Sequence, residues 1–314
     1  MNLQKIYTTE IKPKGPYNFN LTASCYALPQ DYDGTRAYIP HIHNDRKSVS
    51  IAYEKKGRIH VEVWSETRDD EIIEKIIKTT THVLGLDEDL GSYYEIVKDD
   101  PLLAIVEKQL YGMHMRATSS LWEGILIGIC QQNASFRQGW RMVMNLRKMF
   151  GDVIHIDEYN VNTYSFPTPS KIVKSYDNLL SAKVGYRRDI IFNVAKAFMR
   201  EEPDNLEDIS GIGQYTARVA RIISLRKYDE FPVDRWFRRL IPYAYFSKDE
   251  IWSQRAVEDF AEKQWGEWQG LSAIMITIVT AAKTISEVLR DITSNKLCVF
   301  PDRPSPMTMW KYPP

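Results

Sequence analysis

Cysteine is scarce in this chain. The three present, Cys25, Cys130 and Cys298, lie far apart and form no Cys-x-x-Cys pair. That excludes a four-cysteine zinc or iron–sulfur centre and suits a reducing compartment. The six histidines, His41 and His43 among them, show no ligand spacing, so no metal site is expected. Net charge is missing too: 41 basic residues balance 41 acidic ones. Any polyanionic partner must therefore be met by local charge. No apolar run reaches the length of a membrane span, and no secretory leader is visible, so neither insertion nor secretion is expected. Repeats and low-complexity tracts are also wanting.

What remains is an ordinary globular composition, 44% hydrophobic and 26% charged over 314 residues, long enough for two or three domains. The N-terminal part reads as β. Residues 17–28 are apolar and aromatic, and residues 46–66 alternate apolar with polar around Lys55-Lys56-Gly57, a hairpin signature. From Asp69 onward the period becomes helical, with Ile72, Ile73, Ile76 and Ile77 on one face. The expected fold class is α+β: an N-terminal antiparallel β-sheet domain with a helix over residues 1–100, a helical domain over 101–290, and an extended proline-rich tail over 291–314. Within the second, residues 134–150 form an amphipathic helix with Arg137, Arg141, Arg147 and Lys148 outward. Ser170 is the expected cap of a later helix, and residues 271–289 read as one helix.

The most informative stretch is residues 206–240. Gly211-Ile212-Gly213 breaks two apolar-periodic runs, and the second run starts at once. Such a turn leaves N–H groups and the positive end of a helix dipole facing outward, which suits one phosphate. Ile209 and Ile212 can anchor the turn, while Gln214 and Thr216 offer polar contacts. Between Ile209 and Leu240 seven basic residues face three acidic ones, a local +4. Asp234 follows the turn, flanked by arginine, where a carboxylate could serve either as a helix cap or as a reactive group.

LEDISGIGQYTARVA followed by FPVDRWFRRL resembles the helix–hairpin–helix/GPD superfamily of DNA glycosylases. Residues 84–103, 123–139, 183–198 and 268–282 resemble further family segments in order, so the likeness covers roughly residues 84–290. It implies an all-α helix–hairpin–helix domain and a partner β domain as in the 3-methyladenine glycosylase II and 8-oxoguanine branches. It implies hydrolysis of an N-glycosidic bond in duplex DNA carrying a damaged base, as part of base excision repair. The resemblance makes Asp234 the catalytic carboxylate, kept ionised by its place at a helix start, and Gly211, Gly213, Gln214 and Thr216 the DNA grip. Gln132 and Asn133 become the wedge that fills the gap left by a flipped nucleotide, with Arg137 on phosphates.

In the lyase branches a lysine attacks the sugar. Tyr215 stands there in this chain, which implies a monofunctional enzyme using water, with Tyr215 free to stack on an electron-poor alkylated base. Ala273 stands where the oxoguanine branch would place a base-reading glutamine. Trp122, Trp236, Trp265 and Trp268 are candidate pocket walls; Trp268 is the choice and Trp236 is not. No redox, zinc or nucleotide cofactor is implied. A structural monovalent cation on the carbonyls of Glu207, Ile209 and Ile212 is consistent with the family. The expected enzyme acts as a monomer, in the cytoplasm or nucleoid (the nucleus in a eukaryote). Two alternatives stand beside alkylated-base excision: an 8-oxoguanine-type glycosylase/lyase, and a non-catalytic structure-specific DNA binder.

Overall fold

Lys56 and Gly57 both take positive φ, 54° and 71°, the conformation of a two-residue hairpin turn. They join β3 (Arg46–Lys55) to β4 (Arg58–Ser65). With β1 (Gln4–Ile11) and β2 (Ala37–His43) these make an antiparallel sheet of order β1-β4-β3-β2. The computed structural model describes residues 3–43 and 46–312.

Between β1 and β2 lies α1 (Phe19–Ser24), where the sequence suggested strand. Asn18 overrides the β-prone composition by accepting the Leu21 N–H at 3.1 Å as an N-cap. α2 (Asp70–Val83) starts on Asp69 in the same way. It joins α1 in covering one face of the sheet around Phe19, Ile39, Val61 and Val83.

The helical body follows: α3 (Gly91–Val97), α4 (Ala104–Gln109), α5 (Leu121–Gln131) and α6 (Phe136–Phe150). A hairpin that periodicity did not reveal, β5 (Val153–Ile156) and β6 (Val161–Tyr164), then packs Ile154 and Ile156 on the other face of the N-terminal sheet. α7 (Pro169–Lys174) is capped by Thr168 rather than Ser170. α8 (Arg187–Phe198), α9 (Gln214–Leu225), α10 (Phe237–Phe246) and α11 (Gln254–Trp265) follow. The single helix expected over 271–289 is two, α12 (Gln269–Val279) and α13 (Ile285–Thr293), because Ala281 and Ala282 turn left-handed at φ 54° and 49°.

Two helical cores result. One gathers α3, α4 and α10–α13; the other gathers α5, α6, α8 and α9. Leu90, Tyr93 and Val97 belong to the first of these, so the change of packing partner comes before residue 100. The tail is not a free extended segment. Met307 is buried in the first helical core, Met309 in the second, and Trp310 meets Tyr32 of the N-terminal domain edge-on at 4.9 Å. Pro306 accepts the Tyr26 N–H at 2.7 Å. Of the tail's five prolines, Pro313 and Pro314 lie outside the described residues.

Candidate active site

The hairpin is built on α8 and α9, with Leu206–Asp208 as a short 3-10 turn between them rather than as the first helix of the motif. Gly211 sits at φ 93°, and a Cβ there would stand 2.6 Å from Ile190 of α8. Only glycine satisfies both demands. Gly213 opens α9 into free space, and no side chain caps that helix. Its first N–H groups therefore remain available to an anion. Gln214 is exposed, holding Gln254 at 2.8 Å. Thr216 is not presented to solvent: it is 2% exposed, and its hydroxyl accepts from Gln132 Nε2 at 3.0 Å.

That bond also engages Gln132, which lines the cavity. Its amide spans from Thr216 to the Gly211 carbonyl, 3.1 Å away, and so braces the hairpin. Asn133 is the exposed residue of the turn. It is held left-handed at φ 44°, with its amide 3.4 Å from the Tyr186 hydroxyl. Arg137 is exposed on the first turn of α6. The local +4 largely cancels: Arg218 pairs with Glu258, Arg221 with Glu207, Arg226 with Glu88 and Arg239 with Asp249. Arg235 remains exposed at the rim of the main cavity.

That cavity, of about 690 Å³, lies between the N-terminal domain and the helical body. Asp234, Tyr215, Trp236 and Ala273 line it; Trp268 does not. Trp268 packs instead between Tyr93 and Tyr228, 5.8 Å from each ring. The aromatic wall comes from Trp236 and from a group that the sequence reading missed. Tyr26 stacks on Trp140 (5.7 Å, 26°), and Phe136 stands beside them. Tyr26 comes from the N-terminal domain, held at φ 52° by its bond to Pro306.

Asp234 is both cap and cavity residue. Its Oδ1 accepts the Phe237 N–H at 2.8 Å. Burial pushes its carboxyl above the ordinary 3.8, against the pull of the N–H groups of Phe237, Trp236 and Asp234 itself. The expectation that the helix start alone would favour ionisation is thus outweighed by desolvation. The Tyr215 hydroxyl is pushed up by burial first and by the Asp234 charge second, and both residues line the one cavity. Lys283 is the lysine that lines the cavity among the described residues, and Asp291 holds its ammonium. Of the three carbonyls offered to a monovalent cation, Ile209 already accepts the Ile212 N–H at 3.0 Å, leaving it one lone pair for an ion.

At the far end of the cavity stand Asp31, Arg116, Glu123 and Arg147. Arg147, read from the sequence as outward, is 4% exposed and binds both oxygens of Asp31 at 2.7 Å. Glu123 accepts the Ser119 N–H at 2.9 Å. Burial pushes its carboxyl up to about 7, with the Ser119 N–H and Arg147 opposing and Asp31 adding to the rise. A carboxyl whose pKa is raised on folding destabilises the fold as pH climbs from its unfolded pKa, 4.5, toward about 7. Glutamine carries no such proton. The advantage of Glu123→Gln over the parent should therefore grow between pH 4.5 and pH 8 by on the order of 2 kcal/mol, with allowance for cavity water. Urea unfolding at the two pH values measures it; a pH-independent difference would contradict the assignment.

No family model matches the chain. A DNA-3-methyladenine glycosylase of Bacillus subtilis is 26% identical over 178 residues, 51% of this chain and 58% of that one. The alignment thus spans less than two thirds of that relative. A protein of Methanothermobacter thermautotrophicus described as a probable N-glycosylase/DNA lyase is 22% identical over 246 residues, 67% of this chain and 75% of its own. Among solved structures, the 3-methyladenine DNA-glycosylase of Archaeoglobus fulgidus superposes with a TM-score of 0.72 at 23% identity, covering 85% of this chain and 96% of that one. An 8-oxoguanine glycosylase/lyase of Clostridium acetobutylicum, in complex with double-stranded DNA, gives 0.62 at 16%, covering 94% and 100%. The fold is that of these glycosylase structures. Homologues and structural neighbours come from both the 3-methyladenine and the 8-oxoguanine branches.

Proposed function

We propose that this protein is a monofunctional DNA glycosylase that removes an alkylated base from duplex DNA and leaves an abasic site for base excision repair. One observation carries the reading: Asp234 and Tyr215 line the same aromatic-walled cavity, and the family resemblance gives Tyr215 the place where a lyase needs a lysine. Asn133 fills the gap in the duplex, while the open start of α9 and Arg137 hold phosphates. The flipped base stacks in the cavity, where Tyr215, Trp236 and Tyr26 present π faces to an electron-poor ring. As the C1′–N bond breaks, the Asp234 carboxylate faces the positive charge that develops on the sugar. The cationic N-alkylated base departs neutral, water supplies hydroxyl to C1′, and the water proton passes to the Asp234 carboxylate and on to solvent. A monovalent cation on the Glu207, Ile209 and Ile212 carbonyls would stiffen the hairpin. The protein acts as a monomer on DNA, in the nucleoid or nucleus.

A second reading has one observation behind it: Lys283 lines the cavity and could supply the amine of an oxidised-base lyase. Its ammonium is already engaged by Asp291. End-labelled duplexes with a single alkylated purine or 8-oxoguanine separate the two. Scission of the alkylated duplex only after hot alkali is the expected result. Scission of the oxoguanine duplex without alkali, with a borohydride-trapped adduct lost in Lys283→Ala, would establish the lyase. Binding without an abasic product from either duplex would leave a non-catalytic DNA binder.

A further inference from the structure

The wall made by α5 and α9 is longer than a base. The two helices run antiparallel and touch through glycine: a Cβ on Gly128 would stand 3.1 Å from the Thr216 carbonyl, and one on Gly124 would stand 3.0 Å from that of Ala220. Along this contact Glu123, Ile127 and Gln131 of α5, and Tyr215, Val219 and Ile223 of α9, recur every fourth residue, and all six line the cavity. Eight residues of α-helix rise about 12 Å. At the Tyr215 end Gln132 bonds Thr216, and exposed Asn133 there and exposed Arg235, the chain neighbour of Asp234, mark the mouth. Glu123 stands at the other end, among buried Cys25, Met115 and Arg147. Carboxylates that jointly cleave one glycosidic bond lie roughly 5–9.5 Å apart. Two helical turns put Glu123 too far away to act on the bond that Asp234 faces. A volume near 690 Å³ also belongs to the class that encloses a drug-sized molecule rather than one base.

The chemistry of this deeper part is specific. Between the mouth and the far end the wall is Ile127, Val219 and Ile223. At the far end Asp31 and Arg147 satisfy each other, and the Arg116 guanidinium donates to the carbonyls of Ala23, Asp31 and Tyr38. Glu123 takes the Ser119 N–H on Oε2 at 2.9 Å, and the Ser119 side chain adds a second contact to the carboxyl. The annex is an apolar passage ended by the Glu123 carboxyl. We infer that it takes the far end of an extended N-alkyl substituent tipped by a hydrogen-bond donor, so that the substrates include purines bearing multi-atom hydroxyalkyl or aminoalkyl adducts as well as methylated ones. This rests on the proposed excision of alkylated bases.

The test compares two duplexes, one carrying an N-methylpurine and one the same purine with an amino-terminated alkyl chain of several atoms on the same nitrogen. The parent protein should excise both with kcat/KM values within about tenfold of each other. Glu123→Leu, which removes the acceptor, and Ile223→Phe, which fills the passage, should each lower the chain-to-methyl ratio by about tenfold or more. Rapid excision of the methylated lesion with the chain-bearing one more than about a hundredfold slower would overturn the annex. A ratio unmoved by either variant would do the same. If the parent excises neither lesion, the proposed function fails instead, and calorimetry with the two free bases decides the annex alone. Binding of the chain-bearing base about tenfold tighter supports it, and equal affinity overturns it.

Discussion

Asp234→Asn lowers the rate of base excision by roughly a thousandfold while leaving affinity for lesion-bearing duplex within about threefold, if the carboxylate carries the chemistry. The structure makes this substitution unusually clean. Asn retains an oxygen for the Phe237 N–H that Asp234 Oδ1 now accepts, and it is as good a helix cap as Asp. Thermal stability should therefore hold, and a lost rate reports lost charge rather than a frayed helix. Single-turnover excision measured beside filter binding and a thermal melt decides the point. Activity within tenfold of the parent would reduce Asp234 to its capping role. The pH profile adds a second readout. Burial raises this carboxyl above 3.8, and only its ionised form faces the sugar. The acid limb of the single-turnover rate should therefore lie above that of a free aspartate, with activity falling as pH drops through it.

Arg147→Ala should be the most damaging single change outside the mouth of the cavity, destabilising the fold by about 3–5 kcal/mol. It strands the Asp31 carboxylate, whose two oxygens both rest on the guanidinium at 2.7 Å, in a site less than a tenth exposed. The Tyr164 carbonyl and the face of Phe166 lose the same partner. At this chain length the loss amounts to roughly 10 °C in Tm. Most of the penalty is the orphaned charge, so Asp31→Leu with Arg147→Met should recover a large part of it. Equal melting temperatures for the parent and the single variant would show that the pair contributes nothing.

The sequence marks what local chemistry determines. The Lys56-Gly57 turn, the glycines of the hairpin and Asp234 at the start of α10 each depend on a few neighbouring residues, and each is where the spacing puts it. The misreadings have a common cause in long-range partners. Arg147 looks like a solvated residue on an amphipathic helix until Asp31 meets it. Gln132 and Thr216 look like separate polar groups until they meet each other. Trp236 and Trp268 cannot be ranked by composition, because which ring reaches the cavity depends on how α10 and the turn before α12 pack. The residues at 17–28 are β-prone by type and helical by virtue of Asn18. One signal was available and unused: a glutamate, Glu123, on the stripe shared by Ile127, one full helical step from an equally regular stripe in α9.

The segment around Pro306–Trp310 enters three cores and fixes Tyr26, a residue from near the other end of the described chain. The cavity wall is therefore fastened by a loop that encloses almost everything else. Closing so large a loop costs little more entropy than closing a short one, since the penalty grows only as the logarithm of its length. What the covalent link supplies is effective concentration: it keeps weak, separately modest plugs at Met307, Met309 and Trp310 near their sockets. A nick in the turn-rich stretch between α13 and Ser305 would leave every contact intact and still forfeit that advantage. The order of the aromatic wall would then depend on how tightly a short peptide can hold on unaided.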